Sequence, residues 1–214
     1  CGMTLKNMVI RGVTNSIRHD SGTNFRIQCQ FVRFTADVET DEMLESVFNQ
    51  CWFESTVGTS ATAFGEESVR FQGCLFSAAV SFAAAVVSNE LSFHNCRFNG
   101  TNAAITVGDT LGITVVGCSF TQSGSFATPR IRMTTSTGQT VGVIISGNFF
   151  RNAPATGVGV IDLNAGATED EVWGIAITGN SFMGPTAAVS SSTCFVRLVG
   201  DAIVPAHQLF CAIV

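Results

Sequence analysis

Three short strings in this chain each set one charge between two apolar residues: IRM at 131–133, IDL at 161–163 and VRL at 196–198. If they are equivalent strands, Arg132, Asp162 and Arg197 form one outward column. Two readings fit it. Arginine forks can hold the carboxylates of an acidic saccharide, with Asp162 the one carboxylate placed to act on it and hence a weak catalytic candidate. Alternatively, the three charges pair along the surface, where such pairs contribute little. A glycosidase would need a second carboxylate at a set separation. The other acids, Glu66, Glu67, Asp109 and the tip Glu169, Asp170 and Glu171, have no context that selects one. The histidines His19, His94 and His207 are scattered and suggest no Ser–His–Asp order.

Eight cysteines are a high count. There is no CxxC pair, and a column rising one layer at a time cannot present four ligands tetrahedrally, so neither a metal nor a cofactor is expected. Five of them, Cys29, Cys51, Cys74, Cys96 and Cys118, follow one another at intervals of 22, 23, 22 and 22 residues. Neighbouring layers would bring them within disulfide range, but five cannot all pair. Free, buried thiols are the favoured reading, implying assembly in a reducing cytoplasm; disulfides are the alternative.

The series continues with Asn148 and Asn180, and a phenylalanine stands two positions after every anchor: Phe31, Phe53, Phe76, Phe98, Phe120, Phe150 and Phe182. LKNMVI (Met8, Ile10) and LFCAIV (Cys211, Ile213) read as weaker outer copies. Before each anchor apolar residues alternate with others, as in Leu91 and Phe93 or Val143 and Ile145. A period of two means strand. Gly or Asn precedes the anchor at Gly73, Asn95, Gly117, Gly147 and Gly179, where a left-handed residue lets the chain bend. Strands and tight bends repeating every 22 residues make a solenoid whose equivalent side chains stack about 4.8 Å apart. The interval predicts regular rungs of about 22 residues over 5–120 and rungs of 30–32 residues over 121–214, in one domain spanning 1–214. The surplus falls in the polar excursions 121–130, 134–140, 151–159, 164–171 and 183–193. Residues 40–48, TDEMLESVF, read as a short helical turn capped by Thr40.

The spacing in ISGNFF and ITGNSF resembles the right-handed parallel β-helix of pectate-lyase-like proteins, and most closely that of phage tailspike and tail-fibre domains. The resemblance covers most of residues 5–213. It implies an all-β, single-stranded parallel β-helix of about eight to nine rungs. It also implies a virion or extracellular surface module that attaches to host polysaccharide. A polysaccharide lyase or hydrolase of the same fold is the alternative, and a bacterial surface adhesin a third. The fold alone does not choose among them.

One Lys and ten Arg face sixteen acids, a net charge of −5, so nucleic acid is not an expected partner. The longest nearly apolar run, FSAAVSFAAAVV, is too short to insert in a membrane as a spanning helix. Several residues expected to point outward are nevertheless apolar: Trp52, Leu75, Val116, Ile144 and Phe149. Such residues mark interfaces, and a homotrimer with parallel axes would cover them. Coverage by the chain's own loops is the other reading.

Overall fold

The computed structural model describes residues 2–12, 15–17, 26–40, 43–58, 67–82, 88–100, 104–121, 128–134, 139–151, 159–164, 171–183, 194–199 and 211–213. Every helix-or-strand element among them is a strand, and every strand pairing is parallel. The excursions named above lie largely outside the described residues.

The strands fall into three columns. The first holds Gly2–Ile10, Arg26–Phe34, Val47–Asn49, Arg70–Gln72, Ser88–His94, Thr110–Val116, Gln139–Ser146, Glu171–Thr178 and Cys211–Ile213. The second holds Trp52–Phe53, Leu75–Phe76, Arg97–Phe98, Ser119–Phe120, Phe149–Arg151 and Ser181–Met183. The third is a separate eight-stranded sheet: Asn15–Ile17, Asp37–Glu39, Val57–Gly58, Val80–Phe82, Ile105–Val107, Ile131–Thr134, Gly159–Asn164 and Cys194–Val199. From Val47 onward the chain visits the columns in turn, so neighbours within a column are three strands apart in sequence. Arg26–Phe34 spans the corner between the first two columns, pairing with Val47–Asn49 at one end and Trp52–Phe53 at the other.

Left-handed residues make that corner. Asn7, Phe31, Gln50, Gly73, Asn95, Gly117, Gly147 and Gly179 all have φ between 51° and 64°. A second left-handed series, five residues upstream, was not anticipated: Glu45, Ser68, Glu90, Gly112, Gly142 and Gly174. It falls inside Ser88–His94, Thr110–Val116, Gln139–Ser146 and Glu171–Thr178, and just before Val47–Asn49 and Arg70–Gln72. The paired glycines five apart in GITVVG, GVIISG and GIAITG were its signal in the sequence.

Two aromatic ladders fill the interior. Phe34, Phe53, Phe76, Phe98, Phe120, Phe150 and Phe182 stack with centroids 4.5–5.1 Å apart and planes within 12°. Phe48, Phe71 and Phe93 form a second stack at 5.0 Å, meeting the first edge-on, as at Phe71 and Phe76. Offset and edge geometries suit the ring quadrupoles better than a face-to-face sandwich.

Beside the rings runs the anchor column, where thiol and amide do the same two jobs. Each donates to a carbonyl of the rung below: Cys74 Sγ to Phe48 O at 3.2 Å, Cys96 Sγ to Phe71 O at 3.4 Å, and Cys118 Sγ to Phe93 O at 3.4 Å. Asn148 Nδ2 donates to Val115 O at 2.8 Å and Asn180 Nδ2 to Ile145 O at 2.9 Å. Each also accepts from the anchor below: Cys118 Sγ from Cys96 N–H at 3.4 Å, Asn148 Oδ1 from Cys118 N–H at 2.8 Å, and Asn180 Oδ1 from Asn148 N–H at 2.9 Å. Either residue type therefore satisfies the corner's buried backbone groups, the amide with shorter bonds.

The first rung needs a correction. Cys29 pairs with Phe48, not Cys51, and so belongs to the second ring stack's column. Phe31 takes the left-handed corner and is 50% exposed. The anchor and ladder positions are filled by Val32 and Phe34, the latter opposite Phe53. This register buries Ile27, Cys29, Val32 and Phe34 together, and that gain outweighs placing a bulky residue at positive φ. Cys211 likewise pairs with Ile175, in the first column rather than among the anchors. The copy at Met8 and Ile10 does align with Val32 and Phe34. Of the helical turn expected over 40–48, one turn-closing bond is present, Met43 N–H to Thr40 O at 3.1 Å, but no helix follows where the chain is described: Met43 and Leu44 are bridge residues, Val47–Asn49 is a strand, and Met43 is fully buried. Ladder pairing and core burial override local helix propensity.

Cys29, Cys51, Cys74, Cys96 and Cys118 are all free and buried. Burial pushes the Cys29 thiol up to about 12 and raises Cys74 further. Cys118 is raised by its hydrogen bond with Cys96 and by burial. Cys51 is drawn down by its hydrogen bond with Cys74, but its burial closes it to reagents. All five are expected to resist alkylation in the native protein and to react once it is denatured, measured by intact mass; a native disulfide among them would refute this. The linkage has a sign. A neutral thiol in the folded state and an ionised one in the unfolded state means full stability below the unfolded value of 9 and progressive loss between 9 and about 12.

Candidate binding face

The third column carries the charged series. Ile131–Thr134 pairs with Gly159–Asn164, and Gly159–Asn164 with Cys194–Val199, setting Arg132 opposite Asp162 and Asp162 opposite Arg197. Apolar neighbours fix which way they point: Ile131, Met133, Ile161 and Leu163 are all buried in the core, so the alternating residue faces out.

The three are not equivalent. Asp162 is only 1% exposed. Arg197 clasps it through two parallel bonds, Nε to Oδ1 at 2.8 Å and Nη2 to Oδ2 at 2.5 Å. A bidentate pair whose carboxylate is buried is stronger than an ordinary surface pair, although the Arg197 side chain itself is 39% exposed. Arg132 is exposed, and among the described residues no carboxylate lies within ion-pair distance of it. The column is thus a closed pair with an open cation one rung below. Arg130, whose sequence context marks no role for it, lies just before this strand at 1% exposure, and desolvation lowers its guanidinium to about 10.

The remaining candidates scatter. Asp109 is buried and Glu67 exposed. Glu66, Glu169, Asp170, His19 and His207 lie outside the described residues. Among the described residues no group of three His, Cys, Asp or Glu could hold a metal ion, and no helix is long and apolar enough to cross a membrane.

The outward apolar residues do not form one strip. Trp52, Leu75 and Phe149 belong to the second column, where Arg97 and Ser119 stand between Leu75 and Phe149. Val116 and Ile144 belong to the first. Ile144 is 44% exposed, while the other four are half-buried. Trp52 donates from Nε1 to Ser77 Oγ at 3.1 Å, and the Arg33 guanidinium lies 4.2 Å from its ring centre. Part of its surface is therefore covered within the chain.

Comparison with protein-family models, with curated proteins and with solved structures finds no match to this chain.

Proposed function

We propose that this chain is a right-handed parallel β-helix of eight to nine rungs acting as a structural and polysaccharide-binding module of a viral tailspike or fibre, homotrimeric and attached to a host surface. The observation that carries the reading is the open Arg132 beside the closed Asp162–Arg197 pair. An exposed guanidinium on a rigid strand can take the carboxylate of an acidic saccharide bidentately, and the stacked strands beneath hold it without reorganisation. The three-column topology supports the β-helix, and the partly exposed apolar residues of two columns support association through its sides.

The enzymatic alternative asks more of Asp162. A nucleophile or general acid must reach substrate, yet both its oxygens are engaged by Arg197 and almost no surface remains. Binding without cleavage is the reading these contacts favour. A panel of bacterial surface polysaccharides tests it, scoring adhesion and released oligosaccharide. The expected outcome is adhesion that Arg132→Ala weakens about tenfold, the loss of one charge-assisted bond, with no release. Release by the wild type that Asp162→Asn abolishes would replace this reading with the enzymatic one. A monomeric mass by light scattering would remove the trimer.

A further inference from the structure

A concavity lies on the first column, on a different side of the stack from Arg132. It is a groove of about 530 Å³, lined by Arg70, Gln72, Glu90, Ser92, His94 and Thr114 among others. Its shape follows from the second left-handed series. Glu90 and Gly112 take left-handed backbone inside their strands and Ser68 just before Arg70–Gln72, and the groove follows the ladders beside them. Register places Arg70, Ser92 and Thr114 on successive rungs, with Gln72 and His94 in the adjacent row. From Val47 to Thr114 the lining spans four rungs, about 14 Å at the ladder spacing.

The lining has a definite chemistry. Arg70 is exposed, and among the described residues no carboxylate lies within ion-pair distance of it. Glu90 is held by a hydrogen bond from Ser68 Oγ, leaving acceptor capacity on its carboxylate. Ser92 Oγ is buried and, among the described residues, makes no hydrogen bond, although such groups are ordinarily satisfied. The strands here are paired on both sides, so no free backbone edge is offered and a peptide could not add as a strand. What is offered is a row of side-chain donors and acceptors, with an exposed cation and an anchored anion.

We infer that this groove is a second saccharide site, taking a short acidic oligosaccharide with its carboxylate on Arg70 and hydroxyls on Glu90 and His94. A guanidinium fork matches a carboxylate, and a carboxylate such as Glu90 accepts from adjacent hydroxyls. The ligand lies along the stack. The site needs nothing from Arg132 or from the third column.

Saturation-transfer NMR and calorimetry with linear trigalacturonate test it. Its methyl ester serves as the uncharged probe and a hexaglutamate peptide as the acidic non-sugar. The wild type is expected to bind trigalacturonate in preference to the ester and the peptide. Arg70→Gln, an exposed change that leaves the fold intact by circular dichroism, is expected to weaken it at least about tenfold, as for a lost charge-assisted bond. Arg132→Ala is expected to remove only the third-column contribution, and Arg151→Gln, an exposed change on the second column, to leave binding unchanged. Loss on Arg132→Ala with none on Arg70→Gln would overturn the groove and keep the third-column reading. No trigalacturonate binding at millimolar concentration, or equal binding of the peptide, would also overturn it.

Discussion

Replacing Phe98 by alanine is expected to destabilise the fold by about 3–5 kcal/mol, the usual cost of emptying a buried aromatic site. Phe98 lies between Phe76 at 4.8 Å and Phe120 at 4.5 Å, with planes within 9° and 5° of parallel, and also meets Phe93 at a tilt. Its removal cuts the ladder in its middle, where neither neighbour can slide along the stack without leaving its own strand. Urea unfolding measures the loss. Phe31→Ala is the contrasting change. Its ring is half exposed at a corner, so it should cost no more than about 0.5 kcal/mol, whereas Phe34→Ala should resemble Phe98→Ala. If Phe31 proved the costly one, the register of the first rung would be wrong.

The second large effect is expected at Asn148. Its amide accepts from Cys118 N–H and donates to Val115 O and Asn180 Oδ1, and its side chain is buried. Asn148→Ala strands a buried N–H and a buried carbonyl, each costing about 1–3 kcal/mol, for a total of about 2–6 kcal/mol. Asn148→Cys should recover much of this, because a thiol performs both jobs one rung below. That rescue distinguishes a shared hydrogen-bonding role from simple volume. If cysteine were no better than alanine, the equivalence of thiol and amide in this column would fail.

How much of this was legible beforehand depended on whether a residue's environment repeats. Cys51, Cys74, Cys96 and Cys118 recur at one interval because each sits in the same corner, and the phenylalanines two places on recur with them. The register of Arg132, Asp162 and Arg197 was legible for the same reason, since apolar neighbours mark the inward face of each string. The first rung misled because QCQFVRF offers two phenylalanines, and the 22-residue interval to Cys51 selected the wrong one. Only burial of four side chains at once decides between them. The left-handed backbone at Glu45, Ser68 and Glu90 was hidden because those three residues carry no glycine signature. The burial of Asp162 was illegible too, since it depends on how Arg197 folds over the strand and not on either residue's type. The groove at Arg70 and Glu90 follows from that same unseen series.

The order of strands within each column also sets how the molecule bears load. Each described strand's ladder partners belong to the adjacent layer above or below, so stability is close to a sum of neighbour terms. A chain drawn out by its C-terminal end would surrender one layer at a time, like thread leaving a spool. Each regular layer of about 22 residues would release roughly 75 Å of contour at strand extension. The force trace would be a staircase and not a single rupture, with its irregular steps where Asn replaces Cys.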